Sequence, residues 1–232
     1  HMYIDCHTRF IFDFTIKFIQ SKLYLAQNNI DENIALLTEL LKSTEKNALY
    51  HAKAEIGLAN AYIAAGRVDE AKTLLEKILA TEYPQDNPEL AEAHLFAENS
   101  YALLLSKLGE FNQAKQILEK LLKIRMENYG NVHLQTLSVL NNLSTVESNL
   151  GNLENAQKIT EQTISGRTAL LGEKHISTLT SKANLVSILV TSAQLEAADE
   201  KSKALLIEMN DSIGPLHERT LEVRNMRAYI LE

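Results

Sequence analysis

The chain has 232 residues, 45% of them hydrophobic and 23% charged, so it can bury a continuous core and does not have a disordered composition. Its formal net charge is −7, and its 23 lysine and arginine residues form no dense basic stripe, which argues against direct binding of nucleic acid. With 3 prolines, 8 glycines and no tryptophan, the composition favours helices over a large sheet.

Apolar residues recur with helical spacing along most of the chain; Ala114, Ile117, Leu118, Leu121 and Leu122 are one example. This pattern predicts five antiparallel helix pairs and a final single helix, with boundaries uncertain by about two to four residues. The predicted pairs and the final helix span 10–46, 48–82, 89–128, 133–171, 175–212 and 217–232. No Ser/Gly-rich linker interrupts them, so we predict one domain over 3–232, with His1 and Met2 left over from an expression vector.

The first predicted helix contains four of the six phenylalanines, Phe10, Phe12, Phe14 and Phe18, and they point to more than one of its faces. A helix that is apolar all round must be buried, so we expect it to contact a domain upstream of this sequence or to form a homodimer, and we favour the upstream domain. Changing Phe10 and Phe14 to Ser should then yield a monomer with little loss elsewhere in the stack. Charged residues interrupt the apolar run from Phe10 to Leu25, which predicts neither a membrane span nor a signal sequence.

A turn marker divides each of the predicted pairs from the second to the fifth. It consists of a turn residue, usually glycine, followed five positions later by alanine. The occurrences are Gly66 with Ala71, Gly109 with Ala114, Gly151 with Ala156, and Ala193 with Ala198. Steps of 43, 42 and 42 residues separate the alanines, and a weaker copy runs from Asn28 to Asn33. Glycine supplies the conformation that ends a helix, and we expect the alanine to lie where the two helices approach closely. Pro84 and Pro88 predict a longer connector after the second pair.

A second marker, Gly-x-x-His-x-x-Thr-Leu, begins at Gly130 and recurs at two further steps of 42 residues. Its histidines are His133, His175 and His217. One histidine per unit places them on successive pairs rather than around one ion, so packing or ordering of the loop is favoured over a metal site. Four residue types in register across two steps indicate an internal repeat.

These turn glycines, small residues and helix pairs resemble the tetratricopeptide repeat, and the 42-residue unit resembles the longer version found in kinesin light chains and many bacterial signalling proteins. The proline that usually follows the histidine in that version is replaced by Leu134, Ile176 and Glu218. The resemblance implies an all-α fold, a right-handed α-α superhelix of about five pairs plus a final helix. Its first helices would line a concave groove that holds a segment of another protein.

The resemblance also implies which residues line the groove. They are Lys53, Asn60, Asn99, Ser106, Lys107, Ser138, Asn141, Asn142, Thr145, Asn149, Thr180, Asn184, Ser187 and Thr191. Asparagine suits this role because its amide both donates and accepts hydrogen bonds and can pair with any peptide backbone. Bracing of the adjoining helix is the alternative role of Asn142 and Asn184. We expect binding to depend weakly on salt, and Asn141→Ala and Asn184→Ala to weaken it without changing the thermal midpoint.

The leading functional hypothesis is therefore a protein-binding scaffold without a cofactor or a bound metal. The alternative is a regulatory or sensor module of a larger bacterial signalling protein, a kinase or transcription regulator, that acts on its attached domain. An enzyme is not expected, because the sequence lacks known catalytic motifs and an open trough does not enclose a substrate. The single cysteine, Cys6, cannot form an internal disulfide, which fits a cytoplasmic location. Cys6 also lacks a neighbourhood that would activate it, so a nucleophilic role is not expected.

Overall fold

The computed structural model describes residues 6–81 and 87–232, and these residues form α-helices and no strand. The predictions for His1, Met2, Tyr3 and Pro84 lie outside the described residues, as does the side chain of Cys6. The helices are α1 (Cys6–Ala26), α2 (Ile30–Thr44), α3 (Ala48–Ala64), α4 (Val68–Ala80), α5 (Pro88–Lys107), α6 (Phe111–Tyr129), α7 (Leu134–Asn149), α8 (Leu153–Leu171), α9 (Ile176–Thr191), α10 (Leu195–Ser212) and α11 (Glu218–Leu231). The predicted all-α class is confirmed, and each predicted segment corresponds to the expected helices.

The helices form two compact units, His1–Leu108 and Gly109–Glu232. In the first unit α1 packs on α2 and α3, and α3 also packs on α4 and α5. In the second unit α7 and α9 are in contact, α9 and α11 are in contact, and α8 and α10 each pack between their neighbours in sequence. The first helices of successive pairs therefore lie side by side within this unit. That one domain spans both units stays a prediction.

The turn inside each pair ends the first helix in the expected way. At the end of α7, Gly151 adopts φ 81°, Gly151 N–H donates to Ser148 O at 3.0 Å, and Asn152 N–H donates to Glu147 O at 2.9 Å. This is the hydrogen-bond pattern of the Schellman motif, which requires a left-handed residue. Ala193 adopts the same conformation (φ 57°) at the end of α9, where a glycine would carry no steric penalty.

The second marker orders the turn between pairs. His175 precedes α9, and its Nδ1 accepts a hydrogen bond from Ser177 N–H at 3.1 Å, as an N-cap side chain does. Thr178 Oγ1 donates to Gly172 O at 2.9 Å and closes the turn across the glycine. His133 and His217 cap α7 and α11 in the same way. The loop-ordering interpretation of the histidines is therefore confirmed, and the spacing of the marker follows from these two bonds.

The alanines of the turn marker are buried, as expected for positions that require a small residue. Ala71, Ala114, Ala156 and Ala198 are all completely buried. Asn33 takes the corresponding position in α2 and is also buried, but its amide oxygen has no hydrogen-bond partner within the described residues. The first pair thus keeps the geometry of the repeat with a residue that fits it poorly.

Helix α1 is not buried all round. Its Phe14 is buried in a core cluster with Leu37 and Leu58, 4.7 Å from the ring of Tyr50, while Phe12 is 68% exposed. The expectation that changing Phe14 to Ser would cause little loss in the rest of the stack is therefore wrong. That substitution would place a hydroxyl in the core of the first unit and destabilise it.

Candidate functional site

The candidate site is the exposed side of the first helices in the second unit, where α7 and α9 lie next to each other. Between the buried positions of these helices, polar side chains recur at helical spacing, and all of them are half-buried or exposed. We call this the first-helix face; its residues are Ser138, Asn141, Asn142, Thr145, Asn149, Thr180, Asn184, Ser187 and Thr191. All nine were predicted from the sequence to line a groove.

A side-chain hydrogen-bond network connects part of this face. Asn141 Oδ1 on α7 accepts from Asn184 Nδ2 on α9 at 3.3 Å and from Ser181 Oγ at 3.2 Å. It also accepts from Arg167 Nη1 on α8 at 3.2 Å. Because three donors converge on one oxygen, the orientation of the Asn141 amide is fixed. Asn184 therefore braces the neighbouring helix, one of the two roles that the sequence left open.

The network leaves one donor group and one acceptor unused. Asn141 Nδ2 and Asn184 Oδ1 form no hydrogen bond with the part of the chain that the structure describes. Both side chains are half-buried, so these atoms border the exposed side of the helices. The arrangement can therefore offer a neutral donor from α7 beside a neutral acceptor from α9.

Ser181 and Arg167 belong to this network and were not predicted from the sequence. Arg167 is the charged donor among these side chains. Its Nη1 also donates to Ser177 O at 2.8 Å and to Ser181 Oγ at 2.7 Å, so it links α8 to α9 as well as to α7. Burial lowers the pKa of the Arg167 guanidinium. Its acceptors are neutral amide, carbonyl and hydroxyl oxygens, so no carboxylate balances its charge. One sequence signal could have indicated Arg167: another arginine, Arg125, lies 42 residues before it, at the equivalent position of the preceding repeat. Arg125 is also buried, and it donates to Gln135 Oε1 at 2.8 Å. At the next step the arginine is replaced by Met209, which is completely buried.

The other five predicted groove residues lie on α3 and α5 of the first unit. Lys53, Asn60, Asn99 and Ser106 are half-buried, and Lys107 is exposed. The ammonium of Lys53 lies 5.5 Å from the centre of the Tyr50 ring, within the range of a cation–π contact. The predicted groove residues of the first unit include two lysines, whereas all nine residues of the first-helix face in the second unit are neutral.

A buried carboxylate lies near the far end of α7. Glu147 accepts hydrogen bonds from Asn152 Nδ2 at 2.7 Å and Asn155 Nδ2 at 2.9 Å, and it pairs with Lys115 Nζ at 2.9 Å. Burial by itself would raise the pKa of Glu147, but these hydrogen bonds and the lysine outweigh it and hold the pKa below its ordinary value. The group borders a cleft of about 450 Å³. Since every bond of the carboxylate is internal, we assign it a structural role.

Two family models, both of the tetratricopeptide repeat, match the sequence. One covers residues 24–95 and the other residues 90–169, so together they extend over more than half of the chain. The chain is a tetratricopeptide repeat protein. Repeats of this family generally mediate interactions between proteins, and their fold is typically a non-catalytic scaffold. No curated protein sequence matches the chain.

Several solved structures have the same fold as this chain. BtubC (BKLC) of P. vanneervenii has a TM-score of 0.64 at 18% identity, with 90% of this chain and 82% of that chain covered. A thermophilic TPR protein of Thermus thermophilus has a TM-score of 0.63 at 15% identity, covering 94% and 98%. Nearly identical TPR-like repeats of a kinesin light chain from Podosopora anserina have a TM-score of 0.60 at 20% identity, with 85% of this chain and 94% of that chain covered. The repeats of this protein therefore resemble kinesin light chain repeats, and at these identities the likeness shows the fold alone.

Two further properties concern the described residues of this tetratricopeptide repeat protein. None of their helices is both long enough and apolar enough to cross a bilayer. They also contain no group of three or more His, Cys, Asp or Glu side chains arranged to hold a metal ion.

Proposed function

We propose that this protein is a scaffold that binds an extended peptide segment of another protein along the first-helix face of its second unit. The observation that carries this proposal is the fixed pair of amides, in which Asn141 presents its NH₂ group and Asn184 presents its oxygen. An extended peptide backbone carries N–H and C=O groups in alternation, so one segment can satisfy both atoms. The family membership supports a protein partner.

The chemistry of the face indicates how such a segment would be held. Its predicted contact residues are Asn, Ser and Thr, so the hydrogen bonds would be neutral and worth about 0.5–1.5 kcal/mol each. Neutral hydrogen bonds are screened little by ions, and we expect affinity to change little with salt. Backbone recognition would leave selectivity to apolar contacts at the edges of the face. Met226 and the exposed Tyr229 of α11, one repeat beyond Asn184 and Ser187, are suited to such contacts.

The bracing network changes the expected outcome of Asn141→Ala. This substitution removes an acceptor from Arg167, whose guanidinium is largely desolvated, so stability should fall together with affinity. Asn141→Asp is a sharper test, because a carboxylate keeps the acceptor for Arg167 and removes the free NH₂ donor. Ser187→Ala is a second one, since the Ser187 hydroxyl is exposed and forms no side-chain hydrogen bond with the described residues.

The experiment begins with selection of binders from a displayed library of random peptides, followed by calorimetric titration of one selected peptide. We expect Asn141→Asp and Ser187→Ala each to weaken binding about 2- to 13-fold, the equivalent of one neutral hydrogen bond. A peptide methylated on its backbone nitrogens should bind still more weakly. Asn112→Asp, on an exposed position of the second helix α6, adds the same charge away from the face and should leave affinity unchanged.

Two results would contradict the proposal. Unchanged affinity in both face variants would place the binding surface elsewhere on the protein. A steep fall of affinity between about 50 and 500 mM salt would indicate contact through charged groups, with Lys53 and Lys107 of the first unit as the candidates.

A further inference from the structure

The first helix of the protein has two different apolar faces. One face packs into the first unit, with Phe14 buried and stacked 5.4 Å from Phe18. The other carries Phe12, Ile16, Ile19 and Leu23, which are 68%, 49%, 55% and 55% exposed. At 100° per residue these four side chains lie within a narrow stripe opposite Phe14. We call them the α1 stripe.

The spacing of the α1 stripe is specific. Its residues follow one another at steps of four, three and four, the a/d pattern by which one helix packs along another. Phe14 and Ser21, both buried, occupy the positions opposite this seam. The helix therefore buries Phe14 and Ser21 against its own unit and exposes the α1 stripe, on its opposite side, to solvent. The surface that matches such a stripe is another helix with the same spacing.

We propose that the α1 stripe is the contact between two copies of this chain, each packing its stripe on that of the other. Such a contact is isologous, because the same residues serve on both sides of a two-fold axis. The proposal is independent of the peptide-binding function, since the stripe lies on α1 of the first unit and the first-helix face lies in the second.

The residues beside the stripe permit this pairing. One flank carries Thr15 and Lys22, and the other carries Asp13 and Gln20. Each of these flanks has a single charge, near opposite ends of the stripe. A second copy can therefore lie along the stripe without bringing two like charges together.

The area of the stripe fits a reversible dimer. From the exposed fractions, its four side chains offer roughly 400–500 Å² per copy, within the range of patches that are often functional. Two copies would bury roughly 1,000 Å² with their flanks, at the lower limit for a specific interface, so dimer formation should depend on protein concentration. A lipid surface fits less well, because the face opposite the stripe is buried in protein rather than lined with lysine and arginine.

The test is sedimentation equilibrium of the full chain over about 1 to 500 µM, a range that brackets a weak interface. The average mass of the unmodified protein should rise from that of a monomer towards that of a dimer. Ile16→Glu and Ile19→Glu place charge at the centre of the stripe, so each should lower the association constant at least about 10-fold. Ile207→Glu on α10 is the matched control, because Ile207 is even more exposed (68%) but lies in the other unit, and this variant should dimerise normally.

Circular dichroism must show native helix content in each variant; Ile16→Gln and Ile19→Gln serve as second variants should a charge disturb folding. The proposal is overturned by a protein that remains monomeric up to the highest concentration, or by a dimer that the stripe variants form as readily as the parent. It is also overturned if the monomeric protein binds vesicles of anionic lipid and the stripe variants abolish only that binding, because the occupant would then be a membrane.

Discussion

Replacing Asn33 by Ala should make the protein more stable. Asn33 is buried at the position where the later pairs have Ala71, Ala114, Ala156 and Ala198, and its amide oxygen lacks a partner within the described residues. Removing an unsatisfied buried oxygen should gain about 1–3 kcal/mol, and alanine should add about 0.5 kcal/mol of helix propensity. The lost volume opposes this gain. If about 30 Å³ remains unfilled, the cavity costs about 0.7 kcal/mol.

The net expectation for Asn33→Ala is therefore stabilisation by about 1–3 kcal/mol. Urea unfolding monitored by circular dichroism measures it, and the midpoint should rise without a large change in slope. Ala156→Asn is the reciprocal control, because it places an amide in a fully buried site and should destabilise by at least about 1–3 kcal/mol. A loss of stability in Asn33→Ala, or a harmless Ala156→Asn, would refute the view that this position requires a small apolar residue.

Four further substitutions or conditions test other parts of the fold by the same measurement. Ala193→Gly should stabilise by about 0.5–1 kcal/mol, because Ala193 has a left-handed conformation (φ 57°); no gain would mean that the turn tolerates the alanine without strain. Gly166→Ala should destabilise by about 1–3 kcal/mol despite its better helix propensity, since a Cβ there would lie 2.6 Å from Leu137 Cδ2, and a stabilised variant would contradict this packing. His175→Ala should cost about 0.5–2 kcal/mol through the lost cap, whereas His175→Asn should recover most of it; equal losses would argue against the cap. Because folding lowers the pKa of Glu147, its carboxylate should stabilise the protein above the ordinary pKa of 4.5 and lose this effect as the pH falls through the folded value. The difference in unfolding free energy between the parent protein and Glu147→Gln should therefore shrink on acidification, and a difference that does not change with pH would contradict this role.

The sequence predicted the helices and their pairing well because each unit repeats its own boundary signals. Gly151 and its equivalents end a first helix, and His175 and its equivalents begin the next pair through bonds to the local backbone. Such signals consist of residues close together in the chain, so they can be recognised from a single sequence without knowledge of the packing. Even Asn33 was recognised as the residue that departs from the alanine pattern.

The sequence could not predict which side-chain atoms meet. Asn141, Arg167 and Ser181 lie on three different helices, and only the packing of those helices brings them together. Asn184 was placed on the correct face, but whether its amide braces a helix or faces solvent depends on that packing. In α1 all the phenylalanines look equally apolar in sequence, and it is the position of α2 and α3 that buries Phe14 and exposes Phe12.

The arginine shared by three helices also affects how the second unit opens. Moving α7 or α9 away from α8 strips acceptors from the desolvated guanidinium of Arg167, so these helices should exchange their amide hydrogens as one cooperative segment. Met209 provides only dispersion and apolar burial between α10 and its neighbours, and such contacts can loosen one at a time. From the replacement of arginine by methionine we therefore expect α7, α8 and α9 to exchange their amide hydrogens together, and α10 to exchange more independently of its neighbours.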